Sequence, residues 1–452
     1  MTRQPSRLSR RSLLKTGALL AAGAGTGATL SSCGGTARAS GEPLQFWSQY
    51  APTSQQDPDL KAQNDWFLEV IDGWNANNDQ QIEPVFIPNY TDPSNTRVST
   101  AFASNNGPDI FLISPGEFLR YYNGGILEEL TPYMTREAID DFIPESMVTR
   151  SQDGRIYGLP MENEPLAIFY NIPAFEEAGL SEGDLPGTWE EMLELGRRLT
   201  GGEQAGLVFE TVPGYYQNFT FYPWIWQGGG DVIDPATQQQ AFESDAVEQA
   251  LRLWGDAVRT GASPRTVPAN GDLASGFTQG YAAMWENGIF QVPAMHYRAP
   301  DHPYGIFPLP TPPGGQRSTA LGGWAWVVNN RGRNPEAAAR FVVESIGSMS
   351  QESIDRSADW CGRAKLNLPA RTSVDEAMQQ LESADHPMLR QFREDIFPHG
   401  RAEPRYPPPV YKAVSNALQR VQLAGADPVA EADVANAAIE AFLETYHGGS
   451  LL

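Results

Sequence analysis

The chain has 452 residues, of which 41% are hydrophobic, and this amount of apolar material supplies a large core and excludes a disordered chain. One core rarely grows to fill a chain of this length, so we expect two lobes. The net charge of −23 repels phosphate backbones and anionic headgroups, which excludes nucleic acid and direct lipid binding and favours a neutral ligand over an anionic one, although acidity also serves solubility.

The N-terminal segment has the organisation of an export signal. Residues 9–15 read SRRSLLK, and an apolar stretch rich in Gly and Ala follows from Gly17 to Leu30. This stretch is too short to cross a membrane as a helix but has the length of a signal-peptide core. The adjacent arginines resemble a twin-arginine signal, although Leu14 stands where that motif often has Phe. We therefore expect residues 1–32 to be a twin-arginine-type lipoprotein signal peptide.

The segment after the apolar stretch indicates a lipid anchor. Residues 30–33 read LSSC and resemble a bacterial lipobox, which implies that Cys33 becomes the diacylated N-terminus of the mature chain. A Sec-type signal with an incidental Cys33 is the alternative. Residues 33–41 are small and polar and are expected to act as a tether. A disulfide between Cys33 and Cys361 is a further alternative in an exported chain, but the context of Cys33 favours lipidation. Cys361 is then expected to be a buried small hydrophobe.

The mature chain begins with alternating strand and helix patterns. Residues 43–47 are a strand candidate, and residues 65–75 form an amphipathic helix pattern with several large apolar residues on one side. A second strand is expected at 82–87, where Pro84 favours the edge of a sheet. Residues 109–113 (DIFLI) form an apolar run of the kind found in buried parallel strands.

Helix start signals mark the later part of the chain. Thr188 and Glu191 form a capping-box pattern, Ser244 precedes an apolar periodic segment that ends at Gly261, and Asp427 stands before a proline. The short segment 404–409 is rich in proline and is expected to be a surface turn. Repeated β-then-α patterning predicts parallel sheets covered by helices.

Four stretches, in this order along the chain, resemble the extracellular solute-binding proteins of carbohydrate importers, of which the maltose-type proteins are the best known. The first holds GPDIF (107–111), GGIL (124–127) and LTP (130–132). The second holds DGRIYGLP (153–160), FYN (169–171), AGL (178–180) and TWEE (188–191). The third holds FTQGYAAM (277–284), NG (287–288), FPLP (307–310), LGGW (321–324) and NPEAA (334–338), and the fourth is LPAR (368–371).

This resemblance implies an α/β, two-lobe periplasmic-binding-protein-like fold (type II), with parallel-sheet lobes joined by crossing segments. The first lobe would hold 42–157 plus 326–367 and the second 160–323 plus 370–452, with crossings near 157–161, 323–326 and 366–370. It also implies a binding protein rather than an enzyme, without a cofactor or metal. We expect a monomer, exported and anchored to the outer face of the cytoplasmic membrane by lipidated Cys33, which closes over a neutral carbohydrate and hands it to the permease subunits of an ABC transporter.

Aromatic residues near glycines are candidates to stack on the apolar face of a sugar ring. The stretch 215–226 carries seven aromatic side chains and ends at three glycines. Most of these aromatic residues are expected to be core, and Trp226, beside the glycines, is the stacking candidate. Trp324 follows Gly322 and Gly323 at a predicted crossing and is a second candidate.

The resemblance places polar ligand contacts at further positions, since carboxylates and amides pair with sugar hydroxyls. For each of these residues a solvated loop or helix-cap role is the alternative, and the case is best for Glu164, which matches a hydroxyl-binding glutamate of the maltose-type proteins. The turn 48–51 (SQYA) lacks the charged residues of that type, which argues against maltose itself. The candidates are Gln49, Tyr50, Ser114, Glu117, Glu162, Glu164, Asn287 and Arg363.

Two other functions stay open from the residues alone. The ligand could be a glycerophosphodiester or a peptide, and an anionic ligand would need an arginine such as Arg363 in the cleft. A polysaccharide-cleaving enzyme would need two carboxylates about 5–10 Å apart, and Glu162 with Glu164 is the only pair we would nominate. The five histidines show no spacing suited to zinc.

Overall fold

A computed structural model describes residues 41–50, 58–88, 90, 96–267 and 271–451. The predicted signal peptide, the predicted lipidation site Cys33 and nearly all of the predicted tether lie outside these residues. Within the described ranges, no helix combines the length and the apolar character needed to span a membrane.

The strands form two sheets and a small hairpin, which pairs β4 with β5. In the first sheet the order is β2-β1-β3-β11-β6, and in the second it is β12-β10-β7-β8, with β9 also pairing with β7. The strands are β1 (Leu44–Ser48), β2 (Ile82–Phe86), β3 (Ile110–Ile113), β4 (Ser151–Gln152), β5 (Arg155–Ile156), β6 (Gly158–Pro160), β7 (Glu164–Asn171), β8 (Met284–Gly288), β9 (Tyr304–Phe307), β10 (Thr319–Gly322), β11 (Ala325–Val328) and β12 (Gly400–Ala402).

Helices surround both sheets. They are α1 (Pro58–Asn77), α2 (Arg97–Ala103), α3 (Phe118–Asn123), α4 (Arg136–Asp140), α5 (Pro144–Met147), α6 (Ile172–Glu177), α7 (Trp189–Leu199), α8 (Tyr215–Gln227), α9 (Asp245–Arg259), α10 (Leu273–Thr278), α11 (Val292–Arg298), α12 (Pro335–Ile346), α13 (Gln351–Asp359), α14 (Thr372–Met378), α15 (Pro387–Gln391), α16 (Pro408–Ala424) and α17 (Pro428–Leu443). The predicted caps are confirmed, since the side chains of Thr188, Ser244 and Asp427 accept hydrogen bonds from the first turns of α7, α9 and α17.

The first sheet follows the sequence pattern closely. The strand β3 is buried along its whole length, as its uninterrupted apolar run predicts, and it pairs in parallel with β1. Strand β2, which carries Pro84, lies at the edge of the sheet, where a missing backbone donor costs least. Trp66, Phe67, Val70 and Ile71 of α1 are buried in the core of this lobe, as the helical spacing predicts.

The fold class is confirmed as two sheet-containing α/β lobes, but the prediction of purely parallel sheets is wrong. Parallel pairing holds for β1 with β2 and β3 and for β10 with β12, whereas β10, β8 and β9 pair antiparallel with β7. The cause is the connection between the lobes. Strand β7 carries the chain away from a crossing and β10 brings it back, so the two neighbours must run in opposite directions.

The structure also places the lobe boundaries differently from the predicted 160 and 370. Residues of β6 (Gly158–Pro160) pair with β11 in the first sheet, so the crossing starts at Met161. Leu366 and Leu368 pack in a core of the second lobe, but the chain then returns to the first. There Arg371 donates to Asp141 at 2.7 Å and α14 packs on α13, and only the segment from α15 onward rejoins the second lobe.

Candidate functional site

Four strand ends meet the segments that cross between the lobes. Gln49 directly follows β1, Ser114 directly follows β3, Glu164 opens β7, and Asn287 lies at the end of β8. Backbone hydrogen bonds tie the crossings together: Met161 N donates to Trp324 O at 2.9 Å, and Asn163 N donates to Leu368 O at 2.8 Å. We call the region bounded by these strand ends and the crossing segments 161–163, 323–324 and 365–369 the cleft.

Glu162 is a structural junction of the crossings. Its side chain is fully buried, and its two oxygens accept hydrogen bonds from Trp324 N at 2.8 Å and from Trp360 Nε1 at 2.6 Å. Burial, reinforced by the neighbouring Glu164, raises the pKa of Glu162 to about 7. Because both oxygens are engaged, Glu162 holds two crossings in place and has little capacity left for a ligand.

Glu164 lies deeper in the cleft with a cation beside it. One of its oxygens, Oε1, accepts from Asn367 Nδ2 at 3.2 Å and lies 3.6 Å from Lys365 Nζ. Burial raises the pKa of this carboxyl, and Lys365 and Asn367 oppose that rise. Sequence reasoning did not assign Lys365 or Asn367, although a lysine at a predicted crossing was a usable signal in a chain with only four lysines.

Glu403 is a buried acid that the sequence analysis missed. It is 5% exposed, and burial raises its pKa to about 8 although Arg150 lies near enough to oppose the shift. A Cβ at Gly116 of the first lobe would come within 3.1 Å of Glu403 Oε1, so this second-lobe acid directly faces the first lobe. The expected surface turn at 404–409 is wrong for its first half, because residues 403–407 are buried.

Half-buried aromatic rings line the same region. The phenol of Tyr216 donates to Asn287 Oδ1 at 2.9 Å, and its ring lies 6.1 Å from that of Phe290. The ring of Trp324 lies 6.0 Å from that of Tyr90. Tyr215, the first residue of α8, packs against Gly116, where only a residue without a side chain leaves room for the ring. Aromatic rings suit the C–H face of a hydroxylated ring, although that of Tyr215 is covered by Gly116 and by Tyr411, whose ring centroid lies 4.0 Å away.

The remaining first-lobe candidates lie at the rim or behind it. Tyr50 is buried, stacks on Phe67 at 4.5 Å between ring centroids, and its phenol accepts from Gln49 Nε2 at 3.2 Å. Ser114 and Glu117 form a capping box, with Ser114 N donating to Glu117 Oε2 at 3.3 Å. Burial raises the pKa of Glu117. Because Ser114 N engages Oε2, Oε1 is the oxygen of this side chain that remains for a ligand.

The structure corrects two of the predicted contacts. Trp226 is 3% exposed and belongs to a core cluster, with the Arg401 guanidinium 4.6 Å above its ring, so the ring presents no face to a ligand. Arg363 forms an i,i+4 ion pair with Asp359 at 2.6 Å on the protein surface. Trp226 was misassigned because helix α8 is buried on nearly all sides, which a glycine-flanked sequence does not reveal.

A family model described as "Bacterial extracellular solute-binding protein" matches residues 57–349. The chain belongs to this family. Similar relatives of this solute-binding protein include a putative binding protein of Brucella abortus, 24% identical over 77% of this chain and 82% of the relative. Another is the arabinooligosaccharide-binding protein of Bacillus subtilis, which is 26% identical over 63% of this chain and 66% of the relative. A probable amino-acid ABC transporter periplasmic-binding protein of Sinorhizobium fredii is 25% identical over 46% of this chain and 47% of the relative.

Solved structures share the fold of this solute-binding protein. The cyclic α-maltosyl-1,6-maltose binding protein of Arthrobacter globiformis covers 90% of this chain and 100% of its own, with a TM-score of 0.72 and 22% identity. A solute-binding protein of Thermotoga lettingae bound to α-D-tagatose has a TM-score of 0.74 and 21% identity, and the match covers 89% of this chain and 100% of that one. A Mycobacterium tuberculosis protein in complex with glycerophosphocholine has a TM-score of 0.71 and 20% identity, and the match covers 89% of this chain and 98% of that one.

These relatives are binding proteins and not enzymes, which removes the polysaccharide-cleaving alternative. The geometry agrees, since the nominated acid pair includes Glu162, whose oxygens are occupied by two tryptophan N–H groups. Cys361 is buried, as expected, and forms no disulfide within the part of the chain that the structure describes.

Proposed function

We propose that this protein captures a carbohydrate, either a mono- or an oligosaccharide, in its cleft and delivers it to the permease subunits of an ABC importer. The observation that carries the proposal is the placement of half-buried rings beside buried hydrogen-bonding groups. Tyr216 and Trp324 offer ring faces, while Glu164 and Asn287 offer oxygen and amide partners for hydroxyl groups. The sugar-binding relatives and neighbours support the same solute class.

The proposal also includes the location of the protein in the cell envelope. The protein would be exported, act as a monomer and stay at the outer face of the cytoplasmic membrane through lipidated Cys33. A Cys33→Ala variant expressed in the native host would then move from the membrane fraction to the culture fluid. Retention of that variant in the membrane would overturn the lipid anchor.

A thermal-unfolding screen tests the solute class. A ligand at 100 times its Kd stabilises the native protein by about 2.7 kcal/mol, which raises the midpoint measurably. We expect a shift with at least one saccharide in a panel of neutral, amino and N-acetylated mono- and oligosaccharides. A shift with glycerophosphocholine, an amino acid or a peptide, and with no saccharide, would overturn the proposal.

A further inference from the structure

The cleft carries more acids than cations. Four carboxylates surround it, those of Glu117, Glu162, Glu164 and Glu403, and their electrostatic neighbours include three cations, Arg150, Lys365 and the exposed Arg120. Apart from Glu117 and Arg120, all of these residues are at least 93% buried. Charge buried without a counter-charge is costly, so an empty cleft must resolve this excess by binding protons.

The cations do not balance the four carboxylates. Lys365 Nζ lies 3.6 Å from Glu164 and has Glu162 and Tyr50 as further neighbours. Arg150 directs its two terminal nitrogens to neutral oxygens, Thr149 Oγ1 and the backbone oxygen of Gly323, and its charge acts on Glu403, Glu162 and Glu164 together. With Arg120, the described residues supply three positive charges against four carboxylates, which leaves one carboxylate without a counter-charge.

Glu403 is the carboxylate that remains without a hydrogen-bond partner in the described part of the chain. Among the residues that the structure describes, none donates a hydrogen bond to its side chain, and neither of its oxygens is sealed from solvent. The residue as a whole is 95% buried, and its carboxylate lies against Gly116, with Glu117 among its electrostatic neighbours. A buried carboxylate without a hydrogen-bond donor is costly, and a donor group of a bound solute would satisfy it.

A metal ion does not fit this arrangement. In the described ranges, no three His, Cys, Asp or Glu side chains lie close enough together to share a metal ion. A positively charged organic solute is the alternative source of the missing counter-charge. The half-buried rings of Tyr216 and Trp324 favour a ring-shaped solute and add the attraction of aromatic faces for cations.

We propose that the solute is an amino sugar, whose protonated amine pairs with Glu403 while its hydroxyl groups bind the remaining polar groups of the cleft. This inference rests on the proposed carbohydrate function and replaces the expectation of a neutral sugar with that of a positively charged one. The acidic surface of the chain, with its net charge of −23, also attracts such a solute and repels an anionic one.

Matched sugars that differ only at the amine test the inference. Calorimetry at pH 6.5 and low salt would compare glucosamine, glucose and N-acetylglucosamine, and the β-1,4 dimers of each. We expect the amines to bind at least tenfold more tightly than both neutral counterparts. In Glu403→Gln, which keeps the shape and removes the charge, that preference should fall below about threefold. The control Glu344→Gln, on the exposed face of α12, should keep it.

The outcomes separate the two proposals. Equal or tighter binding of a neutral sugar, or an unchanged amine preference in Glu403→Gln, would overturn the amino-sugar inference and leave the carbohydrate function standing. If Glu403→Gln does not fold, Glu403→Asp, which keeps the charge but withdraws it by one methylene group, should lower the amine preference, and an unchanged preference in that variant would overturn the inference. Binding of glycerophosphocholine or of an amino acid with no saccharide binding would overturn both proposals.

Discussion

Tyr216 donates its phenolic hydrogen to the side-chain oxygen of Asn287 at 2.9 Å, which joins the first turn of α8 to the cleft end of β8. The same Asn287 oxygen accepts from the backbone N–H of Gly288 at 3.0 Å, so its orientation is fixed from two sides. The amide nitrogen of Asn287 is thereby turned to the opposite side, where its distance to Gly271 O is 3.5 Å. One hydroxyl group thus orients an amide at the candidate site.

Removing this hydroxyl should weaken binding without unfolding the protein. Tyr216→Phe keeps the ring but loses one hydrogen bond worth about 1 kcal/mol, so we expect roughly fivefold weaker saccharide binding by calorimetry. Tyr297→Phe is the matched control, because that phenol donates to the Arg363 backbone oxygen at an exposed position. Equal affinities of both variants and the unmodified protein would show that Asn287 does not contact the solute.

Trp324 should contribute to saccharide binding through its aromatic ring. Its backbone N–H holds Glu162, and that bond survives substitution, so Trp324→Ala removes the ring and spares the crossing. We expect saccharide affinity to fall at least about tenfold, while Trp324→Phe retains most of it. Unchanged calorimetric affinity in Trp324→Ala would remove the stacking role.

Trp226→Ala should act on stability instead. Its ring lies in the core of the second lobe beneath Arg401, and deleting a buried tryptophan leaves a cavity. We expect the free energy of unfolding to fall by about 3–5 kcal/mol, measured by denaturant titration. A stable Trp226→Ala variant with weakened sugar binding would instead restore the original assignment of Trp226 as a ligand contact.

Glu162→Gln should destabilise the crossings. Whichever way the new amide turns, its NH₂ group meets either the Trp324 N–H or the Trp360 indole N–H, and one buried donor loses its acceptor. We expect a loss of about 1–3 kcal/mol in the free energy of unfolding. The exposed Glu344→Gln serves as reference, and a Glu162→Gln variant as stable as that reference would contradict the junction role.

The ligand-free protein should lose stability as the pH rises from 6.5 to 8. Burial raises the pKa of Glu403 from 4.5 to about 8, so between these values the folded protein holds a proton that the unfolded chain has released. Stability therefore falls with rising pH, by up to about 1 kcal/mol per pH unit for this group, and levels off above pH 8. The charged and titratable groups that face Glu403 are Arg150, Glu117, Glu164 and Tyr222.

The Glu403→Gln variant isolates that effect. Two histidines, His302 and His386, have lowered pKa values through burial and act in the opposite direction, but only below about pH 6.5. Unfolding midpoints of both proteins between pH 6.5 and 8 should therefore show a smaller slope in the variant. Identical slopes would place the ionisation of Glu403 outside this pH range.

Sequence reasoning placed part of the candidate site at strand ends because strand ends are local features. The resemblance to solute-binding proteins nominated Glu164 and Asn287 by position, and both lie at the ends of β7 and β8 that border the cleft. Arg150 and Glu403 were not predicted. They come from segments far apart along the chain, and nothing in their immediate sequence distinguishes a buried charge from a solvated one.

The sequence by itself determined the family, the two-lobed α/β class, the strand cores and several helix caps, because apolar periodicity and capping act over a few residues. Tertiary structure alone decided that Trp226 is core, that α14 returns to the first lobe, and that Glu403 faces the cleft. Burial and charge balance depend on which distant segments pack together, and that packing sets the environment of each side chain.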